Sequence, residues 1–138
     1  MTTKIIKLFL RFAIAASFLS AVADRFGMWA KEVSVWGNWD SFLEYTQHIN
    51  PWMTSTMVSP IGILVTVVEI IFAVCLIIGF KTELVARLSG YLLLIFALSM
   101  SFSTGIKSAF DYSVFTAAAA AFALSLIKVK HWELDKHI

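Results

Sequence analysis

Hydrophobic positions along the chain are gathered into four long runs, separated by short polar segments. The runs cover residues 5–24, 60–79, 84–104 and 110–127, and a helix that crosses a bilayer needs about 17–25 residues. None of the runs shows the strict alternation of a transmembrane barrel strand. Because only helices and closed barrels satisfy the backbone in lipid, the pattern predicts an all-α integral membrane four-helix bundle.

The composition supports the membrane interpretation. Of 138 residues, 59% are hydrophobic and 14% are charged, and the mean hydropathy is +0.82. A soluble domain carries about a quarter charged residues, so a soluble globular enzyme is excluded. The net charge of +2 is too small to indicate nucleic-acid binding. We therefore expect residues 1–138 to form one membrane domain, with the lipid bilayer as its main partner and no nucleic acid bound.

Basic residues near the ends of the runs predict the orientation, because cytoplasmic loops are enriched in Lys and Arg. If the N-terminus is inside, basic residues on the inner face outnumber those on the outer face. The inner set is Lys4, Lys7, Arg11, Lys81, Arg87, Lys128, Lys130 and Lys136, and the outer set is Arg25, Lys31 and Lys107. We therefore expect both termini in the cytoplasm of a bacterial cell and a multi-pass location in its inner membrane.

The first run has a second interpretation. Three basic residues before an apolar stretch that ends in Ala21-Val22-Ala23 resemble a secretory signal with its cleavage site. The run is long for such a signal. We therefore expect it to stay as the first helix.

Residues 25–59 form the first outer loop, and they hold four of the five tryptophans. Asp40 or Ser41 is a candidate N-cap, with Glu44 completing a capping box from Ser41, and Pro51 ends the segment. Apolar side chains at 42, 45 and 49 share one helical face. This predicts a short amphipathic interfacial helix, either an aromatic anchor or a lid over an opening between the helices.

Glu69 is the outstanding ionisable residue, because it lies at the middle of the second run. A charge at that depth costs about 3 kcal/mol on insertion scales, so the side chain is expected to face other helices. Its helical face carries Gly62, Thr66 and Ala73, small residues that permit close helix packing. Two interpretations follow: an unpaired, protonated carboxyl that joins helices, or a group that binds a ligand or handles protons.

Arg11 is the candidate ion-pair partner of Glu69 by depth. Helical side chains lean toward their own N-terminus, however, so Arg11 leans to the cytoplasm while Glu69 leans outward. We therefore expect Arg11 to be a packing and topology residue that snorkels to headgroups. Pairing with Glu69 is the alternative.

Polar residues gather where Glu69 leans, at the outer ends of the helices. They predict a vestibule that is open to the outside, with Glu69 at its base and a small molecule as its ligand. Asp111 has a structural alternative, as the cap of the fourth helix. The candidate ligand-binding residues are Glu69, Asp24, Arg25, Lys107, Asp111 and Tyr112.

Metal and haem sites find no support in the sequence. His48, His131 and His137 lie outside the four runs, so a bis-histidine haem has no ligands within the bundle. Cys75 has no second thiol for disulfide exchange. A quinone, which needs neither covalent attachment nor metal ligation, is the leading candidate ligand, and no catalytic residue is identified.

The sequence resembles the DoxX family from Arg11 to about Ala121. The most specific stretch is Gly105-Ile106-Lys107, followed by Asp111-Tyr112-Ser113-Val114-Phe115-Thr116-Ala117. The family commonly has a basic residue after the threonine matching Thr82, and Glu83 stands there instead. Further matching positions are Asp24-Arg25-Phe26, Trp36-Gly37-Asn38-Trp39, Phe42, Tyr45-Thr46, Asn50, Glu69, Gly79, Thr82, Ser89-Gly90, Phe96-Ala97 and Met100.

The resemblance implies a four-helix inner-membrane protein. Distant members of the family are subunits of an archaeal thiosulfate:quinone oxidoreductase, and others associate with thiol-redox partners. By this analogy the chain is expected to be a subunit of a quinone-linked redox system. Alternatives are a non-enzymatic scaffold, which holds a partner protein or a second copy through small-residue helix faces, and a small-solute transporter.

Overall fold

A computed structural model describes residues 2–138, which form six α-helices and no strand. A short 3₁₀ turn near the C-terminus covers Leu134–Lys136. The helices are α1 (Thr3–Arg25), α2 (Trp39–Ile49), α3 (Ser55–Ile78), α4 (Thr82–Ser103), α5 (Ile106–Asp111) and α6 (Val114–Leu126).

Three of the helices, α1, α3 and α4, are long and apolar enough to cross a membrane. At about 1.5 Å per residue each extends about 33–36 Å, which exceeds a hydrocarbon core of about 30 Å. These helices fit a multi-pass membrane protein. The fourth apolar helix, α6, has 13 residues, and its length of about 20 Å is less than that core.

Two helix boundaries differ from the sequence prediction. α3 begins at Ser55 rather than at 60, so Pro60 lies in its second turn. Because Pro60 lies beyond the first turn and has no N–H, α3 lacks the backbone hydrogen bond from residue 60 to the Thr56 carbonyl. The run predicted over 110–127 is interrupted, because α5 ends at Asp111 and Ser113 adopts a left-handed conformation with φ of 56°.

The long helices and α6 pack in a ring, with α1 against α3 and α6, and α4 against α3 and α6. The most extensive contact joins α4 to α6. Ala97, Ala118 and Ala121 are buried, and a Cβ added at Gly90 would lie 2.8 Å from the Phe122 ring. The small residues therefore allow close packing within this chain.

The two ends of the molecule differ. One end, here called the tail end, is where α1 begins and α3 ends. The C-terminal tail (residues 128–138) folds back against the helices there. Lys7 Nζ donates to the Val129 carbonyl at 2.8 Å, and the Asp135 N–H donates to the Gly79 carbonyl at 2.9 Å. The other end, here called the loop end, holds α2, α5 and residues 26–38. Residues 26–38 are the part of the predicted first loop that precedes α2, and they are called the outer loop from here on. Both termini therefore lie at the same end.

The predicted helix in the first loop is confirmed as α2, but its setting differs from the prediction. Its apolar face, with Phe42 and Ile49 buried, packs against α3 and α4 rather than lying free at the membrane interface. The predicted caps at 40 and 41 are wrong. Asn38 is the cap: its side-chain oxygen accepts the Ser41 N–H at 2.8 Å, because the helix already begins at Trp39.

Candidate functional site

Glu69 lies at the centre of the candidate site and is 2% exposed. Its carboxylate pairs with Arg25, the last residue of α1. Arg25 Nη1 also donates to Thr66 Oγ1 at 2.8 Å, one turn before Glu69 on α3. The expectation of an unpaired carboxyl is therefore wrong. The guanidinium reaches it from the end of α1, whereas Arg11, the candidate partner by depth, lies elsewhere.

Aromatic residues of the outer loop and α2 cover this ion pair. The guanidinium carbon of Arg25 lies 4.1 Å from the ring centre of Phe42 and 5.4 Å from that of Trp36. Gly62 of α3 lets α2 approach closely, since a Cβ there would lie 2.6 Å from a methyl of Leu43. α2 and the outer loop therefore cover Glu69, and the predicted vestibule with Glu69 at its base is not open in this structure. A lid role for α2 stays a prediction.

Two buried donors under this cover have no hydrogen-bond acceptor among residues 2–138: Arg25 Nε and the indole nitrogen of Trp36. Buried N–H groups are normally paired, and an unpaired one costs about 1–3 kcal/mol. The two donors belong to neighbouring side chains, because the Arg25 guanidinium lies over the Trp36 ring. The site therefore has hydrogen-bonding capacity that the described side chains leave unused.

Asp24, also proposed as a ligand-binding residue, organises the outer loop. Its carboxylate accepts the Ser34 hydroxyl and the N–H groups of Val35 at 2.8 Å, Trp36 at 3.3 Å and Gly37 at 3.1 Å. These bonds occupy both carboxylate oxygens. Asp24 thereby fixes the position of Trp36 over Arg25.

The other predicted site residues lie at the protein surface. Lys107 and Asp111, one turn apart on α5, pair with each other at 2.7 Å, and both side chains are exposed. Tyr112 is exposed too, and it lies near Tyr45 of α2. Burial raises the pKa of Tyr45, and the proximity of Tyr112 raises it further. The structure thus pairs Arg25 with Glu69 and uses Asp24 to hold the loop that covers them. A ligand contact by any of the six predicted site residues stays a prediction.

Arg11 is fully buried at the tail end and does not snorkel to headgroups. Its Nε and Nη2 donate to the Leu76 and Ile77 carbonyls, each at 2.8 Å. Its Nη1 donates to the His131 and Trp132 carbonyls at 3.0 and 2.9 Å. Arg11 therefore caps the C-terminal end of α3 and holds the tail. Arg11 thus has the expected packing role, which it fulfils by hydrogen bonds to backbone carbonyls.

A second buried ion pair lies beside Arg11. Lys7 Nζ is 2.7 Å from the carboxylate of Glu133, and both side chains are at most 2% exposed. Glu133 packs against Gly79, since a Cβ added at Gly79 would lie 2.5 Å from the Cα of Glu133. Sequence reasoning missed this cluster. The available signal was Lys7 and Arg11, one turn apart on an apolar helix, with an acidic residue in the tail.

Asp135 joins the tail to the start of α4. Its carboxylate accepts the N–H groups of Lys81 at 2.5 Å and Thr82 at 2.7 Å. Burial acts to raise the pKa of Asp135, but these N–H groups and the charge of Lys130 outweigh burial and lower it below its usual value. Asp135 of the tail therefore caps the N-terminal end of α4.

A separate cleft of about 300 Å³ opens beside α4 at the loop end, and its lining does not include Glu69. Ser99 Oγ donates there to Asn50 Oδ1 at 2.9 Å. No group of three or more His, Cys, Asp or Glu side chains that could hold a metal occurs within residues 2–138.

Comparisons with known proteins add no assignment, since no family model, curated protein or solved structure matches the chain. The resemblance to the DoxX family stays a prediction. Function is therefore argued from the buried charge clusters.

Proposed function

We propose that this protein binds a small lipophilic molecule at the Arg25–Glu69 pair, as a subunit of a quinone-linked redox system in the bacterial inner membrane. The observation that carries the proposal is a buried ion pair near the middle of α3, which α2 covers. Replacing such a pair by apolar residues is often neutral or stabilising, so its presence favours a functional role over a stabilising one.

The residues around the pair suit a flat ligand with carbonyl oxygens. Arg25 Nε is a buried donor without an acceptor among residues 2–138, and a ligand carbonyl oxygen could serve as that acceptor. The ring faces of Trp36 and Phe42 offer stacking surfaces. Glu69 lies beside the same guanidinium and can take or give a proton there. A quinone would supply two-electron redox chemistry when bound.

In this proposal α2 is the lid. Because Phe42 lies against the Arg25 guanidinium, a ligand reaches the pair only when α2 moves outward. Gly62 of α3 leaves the space in which the Leu43 side chain of α2 packs. Lid movements of this kind control access in many ligand-binding proteins.

We also propose the finer topology: a four-helix bundle in which α6 is the fourth membrane helix and both termini are cytoplasmic. The test uses single cysteines at exposed positions, Glu32→Cys in the outer loop and Lys136→Cys in the tail, in a Cys75→Ala background. An impermeant thiol reagent on intact cells should label the first and not the second. The reverse pattern would contradict the orientation.

The ligand proposal is tested on protein purified in mild detergent and analysed for bound quinone by absorbance and mass spectrometry. Wild-type protein should retain quinone, and Glu69→Gln should lose it or lose its pH dependence while remaining folded. The matched control is Glu83→Gln, a partly exposed carboxylate at the tail end that pairs with Lys128. Quinone retention that is equal in both variants at every pH would refute the proposal.

A second candidate, a scaffold for a partner protein, is favoured by the outer loop. Its apolar side chains Phe26, Met28, Trp29, Val33 and Val35 are all exposed. Asp24 fixes the loop backbone, so this patch is preformed. In this case Met28→Ser should abolish recovery of a partner in cross-linking from native membranes, whereas Glu69→Gln should leave recovery unchanged.

A further inference from the structure

The C-terminal tail turns its acidic and basic side chains in opposite directions. Glu133 is buried against Lys7, and the Asp135 carboxylate is bound by backbone N–H groups of α4. The tail's three lysines are all exposed: Lys128, Lys130 and Lys136. The acidic side chains of the tail are thus bound within the fold, whereas its lysines face outward.

Neighbouring helices extend this positive surface. Lys4 of α1, Lys81 at the start of α4 and Arg87 within α4 are exposed at the same end. Glu83 is the acidic residue near them, and it pairs with Lys128 at 2.5 Å. The tail end therefore presents more basic than acidic side chains to whatever lies against it.

Trp132 stands out on this surface. It adopts φ of 50°, a left-handed conformation that is uncommon for a bulky residue, and its side chain is 74% exposed. Arg11 Nη1 binds its carbonyl at 2.9 Å and so holds this backbone in place. Strained conformations persist where the surroundings impose them, and they cluster at functional positions. Here the imposed conformation keeps a large indole outside the fold.

We propose that residues 128–138 are an interfacial lipid-binding segment, in which the Trp132 indole inserts among anionic phospholipid headgroups and the tail lysines contact their phosphates. The tail is tied to α1 and to the end of α3, both long enough to cross the bilayer, so it lies at membrane-surface depth. Trp is enriched at that depth, and basic segments beside membrane helices are attracted to anionic lipid.

The apolar side chains nearby fit the same occupant. Leu134 and Ile138 are exposed beside the lysines, and Ile138 is 79% exposed. An amphipathic segment of this kind lies in the interface plane, with apolar groups among acyl chains and charges at the headgroups. The positive charge favours an anionic lipid over a zwitterionic one. This inference does not depend on a ligand at Arg25–Glu69.

The test uses the full-length protein in nanodiscs of phosphatidylcholine alone or mixed with phosphatidylglycerol. The fluorescence of Trp132 is taken as the difference between wild-type protein and Trp132→Phe. In mixed discs it should be quenched by brominated lipid and protected from aqueous acrylamide. Native mass spectrometry should show several-fold enrichment of phosphatidylglycerol over phosphatidylcholine on the protein.

Matched double variants identify the source of the lipid preference. Lys130→Gln with Lys136→Gln should remove the enrichment, whereas Lys31→Gln with Lys107→Gln, also exposed but at the loop end, should leave it unchanged. Equal enrichment in both double variants would overturn the proposal. Acrylamide access to Trp132 in both disc types would also overturn it, and would leave this surface to a protein partner.

Discussion

The molecule buries charge at both ends, and the two clusters are built differently. At the tail end, Arg11 gives its hydrogen bonds to four backbone carbonyls, and Lys7 meets Glu133 beside it. At the loop end, Arg25 meets only side chains, Thr66 and Glu69, and one of its buried nitrogens has no acceptor among the described residues.

This difference separates a structural cluster from an adaptable one. Backbone carbonyls at the end of a helix cannot move without unwinding it, so Arg11 is fixed by the fold. Side chains can change rotamer. Phe42 of α2 covers the Arg25 guanidinium with its ring and not through a hydrogen bond. We therefore expect stability to depend most on the tail end and ligand binding on the loop end.

The largest effect is expected for Arg11→Ala. The change leaves four carbonyls without a donor and Glu133 with one cation fewer, which should cost about 4 kcal/mol or more of unfolding free energy. Thermal and chemical unfolding in detergent measures it. Arg87→Ala, an exposed arginine at the same end, is the control and should change little. Equal effects of the two changes would remove the distinction between the clusters.

Glu69→Gln is expected to come next. It keeps a hydrogen-bonding group but leaves the Arg25 charge buried without its counter-ion, at a cost of about 3 kcal/mol. The double variant Arg25→Gln with Glu69→Gln removes both charges and should recover much of that loss. A double variant whose loss equals the sum of the single losses would show that the pair is not coupled.

Gly62→Ala should loosen the lid at a cost of about 1 kcal/mol, because the added methyl displaces Leu43 and α2. Hydrogen exchange should become faster in α2 while α1 and α4 keep their protection. Gly90→Ala is a matched control, since it crowds Phe122 at the α4–α6 contact instead. Faster α2 exchange in both variants would mean that α2 only follows global stability.

Asp135→Asn should have the smallest effect, about 1 kcal/mol near neutral pH, as for the loss of a helix cap. The folded protein lowers the pKa of Asp135, so its contribution is present above the unfolded value of about 4 and is lost as pH falls through the folded value. Unfolding measured between pH 7 and pH 3 should show a shallower acid slope in the variant than in Glu44→Gln.

The spanning helices and α2 were predictable because each follows from a local hydropathy pattern. Glu69 was nominated for its charge in an apolar run, and Arg25 and Asp24 as polar residues at the outer ends of the helices. The structure pairs Arg25 with Glu69 and binds Asp24 to the loop above them. Their pairing was not predictable: the depth of Arg11 made it the candidate, whereas Arg25 reaches Glu69 from the end of its helix. The left-handed conformation of Ser113, which interrupts the fourth run, could not be predicted from the hydropathy pattern.

The tail was missed for a different physical reason. Arg11 and Asp135 bind backbone carbonyls and N–H groups there, which every residue carries, so the sequence has no pattern that marks them. Lys7 and Glu133 do form a pair between side chains, but 126 positions separate them in the chain. Contacts of this kind are visible once the chain has folded back.

The 13 residues of α6 have a consequence for the surrounding lipid. If α6 is the fourth membrane helix, as proposed above, the hydrophobic wall beside it is about 20 Å high, against about 33–36 Å along α1, α3 and α4. Acyl chains beside α6 must therefore shorten or tilt to avoid exposing their ends, so the annulus of lipid is expected to be thinner on one flank.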